Sequence, residues 1–201
     1  MAIKHFGHVD GQPPGTTYAN RDELAASGVH PPPRSGIHGT KKDGADSVVA
    51  SGGYPDDEDH GDYLIYTGAG GNDPLTKSQI EHQTVDHYNN AGLITSELNG
   101  YPVRVTRGAR ADSTFAPSTG LRYDGLFAVT RHWTKPGVDG YQVVMFRLDK
   151  LSDDTPEAGP GGTTDLPQYA TALVTRRSSP LTWCTGSDPS SLWVRPLGLA
   201  H

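Results

Sequence analysis

The stretch ASGGYPDDEDHGDYLIYTGAGG, residues 50–71, sets Tyr54 and Tyr66 on either side of a dense acidic run. Small or glycine residues border both tyrosines. Two aromatic rings can hold a planar heterocycle between them, because stacking contributes on the order of 1–3 kcal/mol per base. A carboxylate beside the rings can accept hydrogen bonds from an exocyclic amino group, as cytosine offers, and glycines let backbone groups approach the other edge atoms. The stretch therefore predicts a pocket for a single base taken out of a duplex.

The acidic run DDEDHGD, residues 56–62, also has two other interpretations. One is a solvated charged loop. The other is a Mg²⁺ or Ca²⁺ site, since these cations bind carboxylate oxygens. The run lacks the ligand spacing and central glycine of an EF-hand loop, and no acidic–x–Lys nuclease pattern follows it. Neither HExxH nor GxSxG occurs, so zinc-protease and serine-hydrolase motifs are absent from the sequence.

Composition sets broad limits on the class of protein. A chain of 201 residues fits one domain, and its 25 glycines and 16 prolines favour a loop-rich β architecture. No apolar run is long enough to span a membrane, and the N-terminus lacks the apolar core of a signal peptide. Cys184 is the only cysteine, which excludes internal disulfides and fits a reducing cytoplasm. A net charge of −6 argues against nonspecific coating of nucleic acid but not against a local basic groove.

Residue patterns predict an α+β fold. Asn20 and Glu23 have capping-box spacing and open a short helix that Gly28 ends, and Ser78 with Glu81 predicts a second helix to about Asn90. Five segments bounded by Gly or Pro and rich in β-branched and aromatic residues predict strands: residues 47–50, DYLIYTG, YPVRVTRG, RYDGLFAVTRHW and GYQVVMFRLDK. The chain becomes polar and rich in breakers after residue 150. We therefore predict a domain over 1–150, and a linker with a C-terminal extension packed on it over 151–201.

Several motifs together carry a resemblance to a known family. The segments FGHVDGQPPGTTY, SGIHG, SGGYPDDEDHG, YTGAGG, PVRVTRG and RYDG closely resemble the SET- and RING-associated domain, also called the SRA or YDG domain. The similarity covers about residues 5–150. It implies a curved, barrel-like β-sheet with flanking helices, similar to PUA domains, and binding of 5-methylcytosine in DNA by base flipping.

The resemblance also implies roles for individual residues. Tyr54 and Tyr66 match the stacking aromatics, and Asp57 matches the carboxylate that reads the Watson–Crick edge of cytosine. Other pocket residues are Ser51 and Gly52, which offer backbone groups, and Thr67. The loop that enters the duplex where the base has left matches Arg34, Ser35 and Gly36.

This sequence departs from the family pattern in a second loop, after YTGAGG. Where eukaryotic readers of hemimethylated CpG carry an arginine that reaches the partner strand, this chain has Gln79, with Lys77 nearby. We therefore expect loose sequence context. Candidate phosphate contacts are Lys41, Lys42, Lys77, Arg104 and Arg107.

The sequence thus predicts a non-catalytic reader of 5-methylcytosine, and possible acceptance of 5-hydroxymethylcytosine, with no cofactor and no metal. The alternative is a methylation-dependent, metal-requiring endonuclease, or the binding half of such a restriction system with its nuclease on another chain or domain. One cysteine cannot build a RING domain, and no HNH pattern is visible. We expect a bacterial-type protein in the cytoplasm, associated with the nucleoid.

Overall fold

The computed structural model describes residues 5–73, 75–76, 78–110 and 113–152. The linker and C-terminal extension were predicted over 151–201, and residues 153–201 lie outside the described residues. Lys77 lies outside them as well. No helix in the described part is long and apolar enough to cross a membrane.

Eight strands and two helices make up the described fold, which confirms the predicted α+β class. The strands are β1 (Thr17–Tyr18), β2 (Ile37–Thr40), β3 (Gly44–Ala50), β4 (Glu58–Asp59), β5 (Tyr63–Thr67), β6 (Pro102–Gly108), β7 (Leu121–Pro136) and β8 (Gln142–Lys150). The helices are α1 (Arg21–Ala26) and α2 (Tyr88–Asn99). All five predicted strands are present, and β1, β2 and β4 are short strands that the sequence patterns did not predict.

The strands form one open sheet in the order β2-β3-β6-β7-β8-β5-β4, with β1 paired to β7. Only the β3–β6 pair is parallel among the described pairs. β7 is 16 residues long, and its register shifts once against β6 and once against β8. Such bulges bend a strand and increase its twist, so they account for the predicted curvature. The sheet curves without closing into a barrel.

The core lies between the curved sheet and α2, and includes Leu93 on the helix with Phe127 and Phe146 on the sheet. Gly92 lets α2 approach β2 closely, because a Cβ at this position would lie 3.0 Å from the backbone nitrogen of Thr40. A second cluster packs α1 against β1 and β7 around Leu24 and Tyr123.

The first helix prediction is confirmed by its caps. Asn20 Oδ1 accepts hydrogen bonds from the backbone N–H groups of Asp22 and Glu23 at 3.0 and 2.9 Å. Glu23 in turn accepts from the Ala19 N–H at 2.7 Å. Gly28 follows the helix with a φ of 80°, a left-handed conformation that glycine adopts readily.

The second helix prediction is wrong in position, because α2 begins at Tyr88, ten residues after Ser78. Residues 78–83 pair instead with neighbouring loops and with β8. The Gln83 N–H donates to the Gln142 carbonyl at 2.8 Å, and Gln83 Oε1 accepts from the Val144 N–H at 3.0 Å. These tertiary hydrogen bonds hold the segment extended and override the local capping pattern.

Candidate functional site

The predicted pocket residues converge where β5 meets the loop that follows β3. β5 pairs with β8 and places Tyr66 opposite Phe146 and Thr67 opposite Met145. Tyr66 is buried, with its hydroxyl 3.1 Å from the Gly36 carbonyl and 3.3 Å from the Val49 carbonyl. Burial raises the pKa of the Tyr66 hydroxyl well above its ordinary value, and the nearby Asp57 and Tyr54 raise it further. Tyr66 is therefore a fixed, neutral wall of the site.

Tyr54 lies in the loop between β3 and β4 and is partly exposed. Burial raises the pKa of its hydroxyl, a hydrogen bond with the Gly70 backbone acts against this shift, and the charge of Asp57 adds to it. Tyr54, Asp57 and Tyr66 thus lie close enough to influence one another electrostatically. The structure brings together the two aromatic residues and the carboxylate that the sequence predicted.

Asp57 is the buried carboxylate of this group, with its side chain 6% exposed. Its Oδ1 accepts a hydrogen bond from the Thr67 backbone N–H at 2.8 Å. Its Oδ2 lies 3.9 Å from Nη1 of Arg110. Burial raises the pKa of Asp57 to about 6, although the hydrogen bond from Thr67 and the charge of Arg110 act in the opposite direction. One carboxylate oxygen remains able to accept a hydrogen bond from a ligand.

The Thr67 hydroxyl is a second buried polar group at this point. Its Oγ1 is buried and makes no hydrogen bond to the residues that the structure describes. A buried polar group without a partner typically destabilises a fold by about 1–3 kcal/mol. The Thr67 side chain lies close enough to Asp57 to lower the pKa of that carboxyl. A bound polar ligand could therefore meet both groups.

Asp56 and Asp59 have separate structural partners, which corrects the interpretation of the run as a solvated loop at these two residues. Asp56 pairs with Lys135 at 3.0 Å and accepts from the Val138 N–H at 3.1 Å. Asp59 makes a bidentate pair with Arg107. Glu58 and Asp62 are exposed, and Glu58 bonds to His60 at 3.0 Å. Across the described ranges, no group of three or more His, Cys, Asp or Glu residues is arranged to hold a metal ion.

Ser51 and Gly52 lie at the surface beside this group, on the wall of a cavity of about 510 Å³. Tyr54 and Arg110 line the same cavity, and Thr76 and Ser78 border it from the second loop. Gly52 has a φ of 75°, which favours glycine over other residues. The predicted backbone-contributing residues are therefore placed next to Tyr54.

The first predicted DNA-facing loop is anchored from beneath while its tip is exposed. The Arg21 guanidinium donates to the carbonyls of Pro32 and Pro33 at 3.0 and 3.2 Å and also to that of Ser35. The buried His30 donates from Nε2 to the Ser35 carbonyl at 2.9 Å. Burial lowers the pKa of His30 to about 3, so it anchors the loop as a neutral ring.

Gly36 fixes the end of the same loop over Tyr66. A Cβ at Gly36 would lie 2.8 Å from the Tyr66 hydroxyl, so a larger residue would displace either the loop or the aromatic ring. Arg34 remains exposed at the loop surface. Arg34 is thus presented by a rigid support, while Ser35 and Gly36 have mainly anchoring contacts.

The second loop requires a correction at Gln79. Its side chain is buried and donates from Nε2 to the carbonyls of Gly70 and Glu81 at 2.9 and 2.6 Å. Its backbone N–H donates to Asp139 at 2.7 Å. In this conformation Gln79 holds the base of the loop and cannot reach a nucleic-acid base, so it does not belong among the DNA-facing residues. Leu75, which is 90% exposed, lies nearer the tip.

Two of the predicted phosphate contacts are also wrong, because Arg104 and Arg107 are buried on β6. Arg104 pairs with Asp46 at 3.1 Å and donates to the carbonyls of Val29 and Gly7. Arg107 is held by Asp59 and Asp124. Both are occupied by internal partners. Lys41 and Lys42 are exposed and stay candidates for phosphate contact, although Lys41 pairs with Asp86 at 3.3 Å.

Sequence reasoning missed Arg110, Arg21 and His30. Arg110 follows β6 in a segment without a motif, and Arg21 is the first residue of α1, where a surface role is the ordinary expectation. His30 precedes a run of prolines that already predicted a loop. Only their tertiary contacts connect these three residues to the site, and no local sequence pattern could have predicted those contacts.

The chain belongs to the SAD/SRA domain family, which it matches over residues 5–154. It is 41% identical over 164 residues to the UHRF1-like protein of Cryptococcus neoformans var. grubii, covering 76% of this chain and 48% of that protein. It is 38% identical over 174 residues to the E3 ubiquitin-protein ligase UHRF1 of Rattus norvegicus, covering 77% of this chain and 22% of that protein. The chain thus spans less than half the length of these curated relatives.

Solved structures give the same family. A modification-dependent TagI restriction endonuclease is similar with a TM-score of 0.72 and 50% identity, over 76% of this chain and 54% of that chain. The SUVH5 SRA domain in complex with hemimethylated CG DNA gives a TM-score of 0.62 at 34% identity, over 78% of this chain and 100% of that chain. The same domain bound to fully hydroxymethylated CG DNA gives 0.62 at 35% identity, with the same coverage.

These relatives bear on two further expectations. The curated relatives named above are eukaryotic, so they give no support to a bacterial-type protein, and the cytoplasmic location stays a prediction. The relatives include a ubiquitin ligase and a restriction endonuclease, yet in each the similarity covers only part of the longer protein. Membership of the family therefore does not assign an enzymatic activity to this chain.

Proposed function

We propose that this SRA domain is a non-catalytic reader of 5-methylcytosine in DNA. A modified cytosine leaves the duplex and stacks between Tyr54 and Tyr66, while Asp57 accepts a hydrogen bond from its amino group. Ser51 and Gly52 offer backbone groups to the base, Thr67 lines the pocket, and Arg34 fills the space that the base leaves. Acceptance of 5-hydroxymethylcytosine is part of the proposal, since a related SRA domain is solved with hydroxymethylated DNA.

The observation that carries this proposal is the polar pair at Asp57 and Thr67. The side chain of Asp57 is 6% exposed, and its Oδ2 lies 3.9 Å from Arg110, beyond hydrogen-bond distance. The Thr67 hydroxyl is buried and makes no hydrogen bond of ordinary geometry to the described residues, although it lies close enough to lower the pKa of Asp57. A fold tolerates such groups where a ligand completes them, and a carboxylate with a raised pKa is typical of a functional site. Along the chain, Tyr54, Asp57, Tyr66 and Thr67 follow one another in the order that the family resemblance implies.

The energetics are compatible with base flipping. Removing a base from the stack costs a few kcal/mol, less if the base is already weakly paired. Two aromatic contacts at about 1–3 kcal/mol each, together with hydrogen bonds to the amino edge, are of the size needed to offset that cost. The rigid first loop adds preorganisation, because its anchors are already formed in the free protein.

A methylation-dependent endonuclease is the second candidate, and the similarity to TagI favours it. A metal-dependent reaction would use the acidic run, but Asp56, Asp57 and Asp59 bind three different partners. The similarity to TagI covers 54% of that chain, which fits a shared reading domain. The proposal accordingly assigns this chain the binding step, with a nuclease or other effector as a partner or fused domain.

The first prediction is that binding depends on cytosine modification. In gel-shift titrations, a duplex with one 5-methylcytosine should bind at least about fivefold more tightly than the unmodified duplex, since burying a methyl group contributes about 1 kcal/mol. Affinity should fall as salt rises, because exposed lysines such as Lys41 and Lys42 contact phosphates. Equal affinity for the two duplexes would refute the proposed function.

The same methylated duplex incubated with Mg²⁺ or Mn²⁺ should remain intact, and cleavage would establish the second candidate.

The second prediction is that sequence context matters little. An arginine that forms a bidentate contact to guanine discriminates by about 1–3 kcal/mol, and position 79 is a buried glutamine. Hemimethylated CpG, fully methylated CpG and non-CpG methylated duplexes should therefore bind within about tenfold of one another, which corresponds to ~1.4 kcal/mol. Competition against a labelled hemimethylated CpG duplex measures this. A preference far above tenfold would show that another residue, Arg34 or Lys77 among them, reads the partner strand.

A further inference from the structure

Arg110 is a largely buried cation beside the proposed base site. It lies two residues after the end of β6, and its side chain is 11% exposed. Its Nη1 lies 3.9 Å from Oδ2 of Asp57. A Cβ added to Gly52 would lie 3.2 Å from Nε of Arg110, so the guanidinium group lies directly against the backbone of Gly52. Arg110 therefore contacts two elements of the predicted pocket.

We propose that Arg110 is a positioning residue of the base site, whose guanidinium group keeps the Asp57 carboxylate ionised and directs its Oδ2 as the acceptor for the cytosine amino group. This inference rests on the proposed function, because it concerns how the acceptor is kept in the correct charge state. It assigns no direct contact between Arg110 and DNA.

The ionisation state matters because the two oxygens of Asp57 have different tasks. Oδ1 is already occupied by the Thr67 N–H, so Oδ2 is the oxygen that can meet a ligand. A cytosine amino group donates hydrogen bonds. If Oδ2 carried a proton, it would present a second donor to that amino group, and the contact would be lost.

The charges that face Asp57 come from three elements. Asp56, in the same loop, disfavours ionisation by like charge, although Lys135 pairs with it at 3.0 Å. The hydroxyls of the partly exposed Tyr54, from the loop, and of the buried Tyr66, from β5, are neutral near physiological pH. Arg110, after β6, supplies positive charge against the burial that favours the protonated acid. An opposite charge within about 4–6 Å typically lowers a carboxyl pKa by 1–3 units.

The test titrates the Asp57 carboxyl carbon by NMR in the free protein, in the wild type, Arg110→Gln and Arg110→Lys. We expect the midpoint in Arg110→Gln to rise by about one pH unit, a tenfold change in the acid dissociation constant, while Arg110→Lys remains near the wild type. An unchanged midpoint in Arg110→Gln would overturn the inference. This titration needs no DNA, so it is independent of whether the proposed function holds.

Binding of a duplex with one 5-methylcytosine over pH 5.5–8.5 provides the second readout. Arg110→Gln should lose affinity at a pH about one unit higher than the wild type and bind within about threefold of it at pH 8.5, where Asp57 is ionised in both proteins. A loss of equal size at every pH would overturn the inference, since it would indicate direct contact with DNA or damage to the pocket. If Arg110→Gln does not fold, the binding profile of Arg110→Lys tests the inference instead. Because lysine retains the positive charge, its pH profile should match that of the wild type, and a displaced profile would contradict the electrostatic role.

Discussion

Replacing Asp57 with asparagine is expected to weaken binding of methylated DNA by roughly 5- to 150-fold, or about 1–3 kcal/mol. The reason is the number of acceptors. The Thr67 N–H donates to one oxygen of Asp57, and the cytosine amino group would donate to the other. Asparagine keeps the shape of the side chain but has a single acceptor oxygen, so one of the two donors faces an NH₂ group. Alanine at this position should lose at least as much.

Glu58→Gln is the matched control for binding, because Glu58 is an exposed neighbour of Asp57 in the same acidic run. Its affinity should stay within about twofold of the wild type. Asp56 and Asp59 are unsuitable controls, since each holds a buried or partly buried cation in the fold. If Asp57→Asn and Glu58→Gln bind methylated DNA equally well, Asp57 does not read the base.

The same Asp57→Asn substitution should stabilise the free protein at neutral pH. The pKa of Asp57 is raised from 3.8 to about 6, because burial disfavours the charged form. Its stability contribution is therefore greatest below pH 4 and is lost as pH rises through 6. Relative to the wild type, Asp57→Asn should gain up to roughly 3 kcal/mol in the free energy of unfolding at pH 8 and little at pH 4. Urea unfolding at the two pH values measures this difference.

Arg107→Met is expected to destabilise the fold by about 3–5 kcal/mol, the size typical of breaking a buried ion pair by removing one partner. Arg107 donates to Asp59 at 2.8 and 2.9 Å and to Asp124 at 2.8 Å. Burial disfavours its charge, but the hydrogen bonds and charges of these two carboxylates outweigh burial and raise its pKa. Methionine fills similar space and leaves Asp59 without its cation, while Asp124 retains only Arg122 within the described part of the chain.

Arg34→Met is the control for that experiment, since Arg34 is exposed at the first loop. It should change the free energy of unfolding by less than about 0.5 kcal/mol, as is usual for surface substitutions, while weakening binding of methylated DNA. Urea unfolding of both variants separates the two roles. An Arg107→Met protein as stable as the wild type, but with reduced DNA affinity, would restore the original interpretation of Arg107 as a phosphate contact.

The five predicted strands and the proximity of Tyr54, Asp57 and Tyr66 were predictable because their signals are local. Tyr54, Asp57 and Tyr66 occur within thirteen residues, and each predicted strand carries its β-branched residues in one short run. The motifs SGIHG, SGGYPDDEDHG, YTGAGG and RYDG are also sufficient to identify the family. A local signal reports the chemistry of one segment, and here one segment carries most of the residues proposed for the base site.

The errors arose where long-range contacts decide the outcome. The capping-box spacing of Ser78 and Glu81 is real, but Gln79 and Gln83 use their side-chain amides to bond distant backbone groups, and this holds the segment extended. Arg104 and Arg107 appear as basic surface residues in sequence, yet all seven residues of β6 are buried. β6 lies between β3 and β7 in the sheet, and its arginines meet acidic partners far along the chain. Arg110 was missed for the same reason.

A crystal structure of this domain with a duplex that contains a single 5-methylcytosine tests the central claim most directly. We predict that the modified cytosine lies outside the helix between the rings of Tyr54 and Tyr66, with its amino nitrogen within about 3.2 Å of Asp57 Oδ2, the usual hydrogen-bond range. A bound duplex in which the methylated cytosine stays stacked and paired, with Asp57 Oδ2 contacting no base, would contradict it.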